Sequence, residues 1–243
     1  MPTILIIGES CRDIFVYCEA KRLCPDVPVP VLNVLYQKDN PGMAYNVYRN
    51  ALKLSDECFI HTNSGWRDIT KTRYVDEKSN HHFMRVDSPH LFKEFFPHKN
   101  YLETFDVIAI SDYNKGFLSE ETIQFICENH PCVFIDTKKP VSQFCKDAKY
   151  IKINDFEYKN SLPFLDENLS AKIIHTVGEE GCFFGDKQYL VNKVEVKDVS
   201  GAGDAFFAAL VVEYSKTQDI EHSIAFANKC ASEVVKHKGV TTL

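Results

Sequence analysis

The sequence predicts a three-layer α/β/α domain, with a mostly parallel central sheet and a small β lid, on three observations. First, short β-branched runs recur at 3–8 ("TILIIG"), 106–111 ("DVIAIS"), 132–137 ("CVFIDT"), 150–154 ("YIKIN") and 172–177 ("KIIHTV"). Most are apolar throughout rather than alternating, the pattern of strands buried on both faces. Second, helical patterns lie between and after them, at 42–54, 119–130, 203–216 and 220–238. Strand and helix in alternation imply a parallel sheet covered on both sides. Third, two segments break the rhythm.

Each element has a local reason. The helix at 119–130 opens on Ser119 as N-cap with two glutamates in its first turn, where the helix dipole favours them. The segment 22–37, "RLCPDVPVPVLNVLYQ", carries prolines at 25, 28 and 30, which exclude a helix or a central strand but suit an extended edge. Residues 69–88 read as two short strands around the turn-like "DEKSN". Lid segments at about 14–40 and 69–88 would form a separate small sheet, as a cover or a surface for homodimerisation, on one domain spanning 1–243. The helix at 220–238 carries an apolar stripe of Ile224, Ala227, Ala231, Val234 and Val235, with Gly239 at its C-terminal glycine position.

Composition narrows the function. The 243 residues are 44% hydrophobic, enough for one full core, and the net charge is −6 with no basic block longer than a pair. A nucleic-acid footprint needs a basic face, so small soluble ligands are expected. Nine cysteines, an odd number without a C-x-x-C pair, argue against a disulfide framework or a zinc site. The start "MPTILIIGES" lacks a basic region and its apolar run is too short for a signal or a membrane span, so a cytoplasmic protein is expected.

The stretch "DVSGAGDAFFAALVV" (198–212) carries the chemistry. A buried helix that opens on Gly201, Ala202 and Gly203 leaves unpaired N–H groups at its first turn with no side chains in a ligand's way. Beyond the carboxyl ends of a parallel sheet such a helix start binds phosphate. Asp204 could merely complement the dipole. Between those glycines and the buried run it reads instead as the base of a phosphoryl transfer, deprotonating an acceptor hydroxyl while the amides of Gly201 to Asp204 stabilise the transferring group.

Here the chain resembles the ribokinase-like carbohydrate kinases, whose signature is this Gly-Ala-Gly-Asp anion hole and base. Further matches follow in order along nearly the whole chain: "CPDVPVPV" (24–31), "NPGMAYNV" (40–47), "TKTR" (70–73), "MRVD" (84–87), "SDYNKG" (111–116), "IDTKK" (135–139), "INDFE" (153–157), "TVGEEG" (176–181) and "FAN" (226–228). Within the family they are most similar to the heptose 7-phosphate kinases. The resemblance implies transfer from ATP, with Mg2+, to the anomeric hydroxyl of a sugar phosphate, giving a heptose 1,7-bisphosphate; another sugar or nucleoside, or a non-catalytic binding relative, is the alternative. It implies no nucleic acid or membrane partner, and a separate nucleotidyltransferase should the product enter ADP-heptose synthesis.

The resemblance also assigns residues. Asp13, after the first strand, would accept sugar hydroxyls, and Gly42 and Asn46, four apart on a helix, would face the sugar; Asn46 could equally lie on a solvent face. Asn154 and Glu157 would hold Mg2+ through water, although an N-cap Asn with a helix-start Glu fits the spacing as well. Thr176, Gly178 and Gly181 would contact the nucleotide or simply make a turn. Asn228 would cap a loop carbonyl or face adenine, because an unpaired amide inside an apolar stripe is costly. Asp198 and Ser200 match positions that bind a monovalent cation, K+, in some relatives. Arg73, Arg85 and Lys115 are candidates for a phosphate already on the acceptor. One departure stands out: Met43 follows Gly42 where the family has a second glycine.

Overall fold

The structure, a computed structural model, describes residues 1–89, 92–192, 194–239 and 241–243. Its strands are β1 (Ile4–Ile7), β2 (Ser10–Leu23), β3 (Pro30–Met43), β4 (Cys58–His61), β5 (Thr70–Asp76), β6 (His82–Asp87), β7 (Val107–Asp112), β8 (Val133–Thr137), β9 (Tyr150–Asn154), β10 (Ile173–Thr176), β11 (Cys182–Phe184) and β12 (Lys187–Tyr189). Its helices are α1 (Ala44–Leu52), α2 (Lys99–Leu102), α3 (Glu120–Asn129), α4 (Asp155–Ser161), α5 (Glu167–Ser170), α6 (Ala202–Thr217) and α7 (Ile220–Val234).

Eight strands form the central sheet in the order β12-β11-β10-β9-β8-β7-β1-β4. From β4 to β10 every pairing is parallel, and an antiparallel β11–β12 hairpin closes one edge. Successive side chains of a strand point to opposite faces, and here both faces are buried. Ile4 and Ile6 of β1, Val107 and Ala109 of β7 and Phe134 of β8 pack with α1, α6 and α7. Leu5, Ile7, Ile108, Ile110, Val133 and Ile135 pack on the opposite side with α3. The all-apolar strand runs are the chemical signature of this double burial. α6 is buried continuously from Ala205 to Val212, in the cluster that also holds Val47 and Ala51 of α1 and Ile224 and Ala227 of α7. Ser119 caps α3 by accepting a hydrogen bond from the Thr122 amide at 3.2 Å.

The lid is a separate four-stranded sheet, ordered β3-β2-β5-β6. It starts earlier than expected, at Ser10, because β2 leaves β1 after only Gly8 and Glu9. Gly8 permits that junction: a Cβ there would stand 1.9 Å from the Ser111 carbonyl oxygen. The proline-rich stretch supplies the lid's edge strand β3, which begins at Pro30 and, among the described residues, pairs only with β2.

One boundary differs from expectation. α7 ends at Val234, not 238, so Gly239 is not its C-terminal glycine. Gly239 instead adopts φ 77° and donates its N–H to Asp198 Oδ2 at 3.0 Å, returning the chain to the loop before α6. Among the described residues no helix is long and apolar enough to cross a membrane.

Candidate active site

A cavity of about 140 Å3 opens between the lid and the carboxyl ends of the central strands, lined by Asp13, Met43, Asn46, Lys71, Arg73, Tyr113, Ser200, Gly201 and Asp204. Five of the residues expected from sequence to bind acceptor or phosphate therefore converge: Asp13, Asn46, Arg73, Gly201 and Asp204.

The α6 wall comes first. Gly201 caps the helix with φ 84°, a left-handed conformation that favours glycine. Ala205 makes the first helical hydrogen bond, to the Gly201 carbonyl at 2.9 Å, and Ala202 donates to the Val199 carbonyl at 3.3 Å. The amides of Gly201, Gly203 and Asp204 have no protein acceptor among the described residues. Three free donors at the positive end of a sixteen-residue helix make an anion site.

Asp204 stands in that first turn and is held on both oxygens. Asn46 donates its side-chain amide to Oδ2 at 2.8 Å, and the Tyr113 hydroxyl donates to Oδ1 at 2.7 Å. Burial pushes the Asp204 carboxyl above its ordinary value, while the Asn46 and Tyr113 hydrogen bonds draw it back toward ionisation. Burial and the neighbouring Asp204 and Asp136 push the Tyr113 phenol far upward, so it remains a neutral donor. The result is a carboxylate with fixed orientation and raised basicity, suited to accept a proton. The loop that carries Tyr113 is itself pinned, because the Lys115 amide donates to the fully buried Glu9 carboxylate at 2.7 Å.

The lid wall presents Asp13, on β2, paired with the Arg73 guanidinium on the adjacent β5. Gly42 does not line the cavity; it makes room for Asp13, since a Cβ at this position would stand 2.3 Å from Asp13 Oδ2. Gly42→Ala is accordingly expected to displace that carboxylate and lower kcat/KM for the acceptor by about 10²-fold with the nucleotide KM unchanged. Steady-state kinetics with each substrate varied in turn checks this. Met43 is almost fully buried against the cavity at φ 61° and ψ −135°, a region that side-chain-bearing residues avoid. It caps α1 without a side-chain hydrogen bond, so the chain tolerates this strain where the lid strand turns into the helix that supplies Asn46.

Beneath the anion site lies a buried ion network. Lys152 Nζ donates to Asp136 Oδ2 at 2.8 Å, Lys138 Nζ lies 3.8 Å from Asp136 Oδ1, and Lys138 also pairs with Glu157. Burial alone would raise the Asp136 carboxyl, but Lys152 and Lys138 outweigh it and hold it below its ordinary range. A Cβ on Gly203 would approach Lys152 Nζ to 3.2 Å, which places this ammonium directly under the anion site.

The remaining candidates lie elsewhere. Asn154 and Glu157 form a reciprocal capping box on α4: the Asn154 side chain accepts from the Glu157 amide at 2.9 Å, and Glu157 accepts from the Asn154 amide at 2.8 Å. Both Glu157 oxygens are thus engaged, one of them also by Lys138. Among the described residues no three His, Cys, Asp or Glu side chains are grouped to hold a metal ion. This donor set fits a hydrated Mg2+ carried on nucleotide phosphates and touched through water, not a direct protein cage. Asp198 spends its oxygens on the amides of Ser200 (2.8 Å) and Gly239 (3.0 Å), with the Asn80 side chain of the β5–β6 turn at 3.4 Å. It therefore ties the lid to the loop before α6. Gly181, at φ 87°, packs on the hairpin, where a Cβ would stand 2.0 Å from the Tyr189 carbonyl oxygen; Gly178 has φ 60° in the same turn, and the Thr176 hydroxyl donates to the Ile153 carbonyl at 3.3 Å. Asn228 donates to the Tyr189 carbonyl at 2.9 Å, which resolves its place in the apolar stripe as a cap on β12. Arg85 is exposed and paired with Asp87, and the Lys115 side chain is exposed; neither lines the cavity.

Tyr113, Lys71, Lys138, Lys152 and Asp136 are site residues that spacing did not single out. Their signal was present in "SDYNKG", "TKTR", "IDTKK" and "YIKIN", as charged or phenolic groups within or just beyond strands.

Comparison with known proteins agrees with this geometry. Residues 56–243 match the pfkB family carbohydrate kinase. The "Bifunctional protein HldE" of Helicobacter pylori (strain ATCC 700392 / 26695) is 30% identical over 298 aligned positions, covering 98% of this chain and 64% of that protein. The protein of the same name from a Nitratiruptor species is 28% identical, covering 99% and 63%. The chain thus spans somewhat less than two thirds of the length of these relatives. Among solved structures, the ribokinase of Thermotoga maritima superposes with a TM-score of 0.77 at 18% identity, covering 99% of this chain and 95% of that one. The ribokinase of Arabidopsis thaliana complexed with ribose and ATP gives 0.69 at 13% identity, covering 98% and 94%. At those identities the likeness is one of fold. The fold, the anion site and the family match lead to one conclusion: the chain belongs to the pfkB family of carbohydrate kinases and is a sugar kinase.

Proposed function

We propose that the protein transfers the γ-phosphoryl group of ATP to the anomeric hydroxyl of a sugar phosphate, with heptose 7-phosphate as acceptor and a heptose 1,7-bisphosphate as product. The observation that carries the reading is Asp204, fixed by Asn46 and Tyr113 at the start of α6 beside three free amides. In the reaction the acceptor lies in the lid cavity with hydroxyls on Asp13. Asp204 takes the proton of the attacking hydroxyl, and the amides of Gly201, Gly203 and Asp204 with Lys152 stabilise the charge on the transferring group. Asn154 and Glu157 would hold Mg2+ through water, and the ion would neutralise charge on the ATP phosphates. The resemblance to the HldE proteins, together with cations in and beneath the cavity, supports a phosphorylated acceptor.

K+ is proposed at Asp198 and Ser200, where the loop amides and Asn80 already engage the Asp198 carboxylate. The outer lid exposes Val34, Leu35, Tyr36, Met84 and Val86, which supports a homodimer formed through the lid. Use of ATP as donor supports a cytoplasmic reaction.

The test is ADP release with heptose 7-phosphate, fructose, ribose and their phosphates as acceptors, with the phosphorylated carbon identified by 31P and 13C NMR. The proposal expects the highest kcat/KM for heptose 7-phosphate and phosphate on its anomeric carbon. Phosphorylation of another hydroxyl, or preference for a neutral sugar, overturns it.

A further inference from the structure

The lid wall holds a charge that no carboxylate among the described residues answers. Lys71 is the second residue of β5, is only 8% exposed and lines the cavity. Its strand neighbour in register is Asp13, but Asp13 is paired with Arg73. On its other side β6 brings Asp87, which is paired with Arg85. Among the described residues no carboxylate or carbonyl lies within hydrogen-bond distance of Lys71 Nζ, which stands over the Tyr113 ring at 5.2 Å from the centroid. Lys138 sits 5.4 Å from the centroid of the same ring, yet Lys138 has Asp136 and Glu157 as counterions. A desolvated ammonium without an anion is costly and is found where a ligand supplies the anion.

Two anions could enter this cavity, the transferring phosphoryl group and a charged group on the acceptor. The transferring group already has its own receptors, the α6 helix-start amides and Lys152 of β9 beneath them. Lys71 is on the lid wall, on the strand beside Asp13. We propose that Lys71 is the receptor for an anionic group on the acceptor, a phosphate monoester, so that it and not Arg85 or Lys115 selects phosphorylated sugars. Arg73 is already paired with Asp13 and shapes that carboxylate instead of competing for the phosphate. The inference rests on the sugar-kinase site described above and deepens it.

The experiment uses the full chain without ATP. Calorimetric titrations compare ribose 5-phosphate, fructose 6-phosphate and heptose 7-phosphate with the unphosphorylated sugars, with gluconate as a carboxylate and with inorganic phosphate, for the wild type, Lys71→Gln and Lys71→Arg. The wild type is expected to bind at least one sugar phosphate more tightly than its neutral counterpart. Lys71→Gln is expected to weaken that sugar phosphate by about 100-fold, leave the neutral sugar unchanged, and be largely rescued by Lys71→Arg. In turnover with ATP the same variant raises the acceptor KM while kcat and the ATP KM hold. Equal weakening of neutral and phosphorylated sugars, an effect confined to kcat, or no preference of the wild type for any phosphorylated sugar overturns the assignment; tighter binding of gluconate than of every phosphate replaces phosphate by carboxylate and overturns it too. Thermal denaturation of both variants separates loss of folding from loss of the anion contact. If Asp204→Asn retains turnover, the kinase-site reading fails while the titrations still report on Lys71; if only the titrations fail, the kinase site stands.

Discussion

Asp204→Asn is expected to lower kcat by roughly 10²–10⁴, the contribution of a positioned general base, while ATP binding persists and the protein becomes more stable. The loss follows from removing the proton acceptor beside the free amides of Gly201 and Gly203. ATP binding persists because those amides are backbone groups that the substitution leaves in place. The gain in stability follows from the sign of the shift. Burial raises the Asp204 carboxyl above its ordinary value, so the folded protein holds the proton more readily than the unfolded chain. Folding stability therefore falls as pH rises through the unfolded carboxylate value toward the raised folded one, and at neutral pH the ionised group is a net cost. Asn removes that charge, and the Asn46 amide can turn to match the new partner. The melting temperature should rise by ~2–4 °C for each kcal/mol relieved. In the wild type kcat should fall at acid pH with an apparent pKa above 3.8. Unchanged kcat in Asp204→Asn removes the base assignment, and a lower melting temperature removes the electrostatic account.

Much of this arrangement is visible in the sequence because burial writes itself into composition. β1, β7, β8, β9 and β10 are covered on both faces, and their runs are mostly apolar instead of alternating. The helix start at Gly201 to Asp204 is legible because its conformation and its free amides are local properties of glycine and of a helix end. β4, "CFIH", escapes because four residues at a sheet edge carry no period. The β11–β12 hairpin escapes although Gly185-Asp186 at its turn, with Gly185 at φ 56°, is a recognised hairpin signal. Asn154 and Glu157 show why spacing leaves roles open, since the same i, i+3 pair makes a capping box and adjoins Lys138 at the site. Tyr113 and Lys71 are tertiary facts: each becomes a site residue only when the lid folds over β7 and α6. Lys152 had a stronger local signal, because a lysine inside "YIKIN" sits in a buried strand and requires a counterion.

That lysine yields the largest expected effect on stability. Lys152→Met should destabilise the fold by about 3–5 kcal/mol, the usual consequence of leaving a buried charge without its partner, and lower the melting temperature by about 6–20 °C. Asp136 is 6% exposed and loses its hydrogen-bonded partner at 2.8 Å; Lys138, at 3.8 Å and already paired with Glu157, cannot replace it. The double variant Lys152→Met/Asp136→Leu removes both charges and should regain most of the stability, since a buried ion pair is often matched by apolar residues of similar volume. Activity should not return with it. Lys152 Nζ lies under Gly203, where an added Cβ would meet it at 3.2 Å, so its ammonium faces the amides that receive the transferring group. Chemical denaturation of the single and double variants measures the first effect, and kcat measured well below their melting temperatures measures the second. A double variant that recovers kcat together with stability would show that Lys152 serves folding alone, whereas stability without turnover assigns it to the charge that develops on the phosphoryl group in transit.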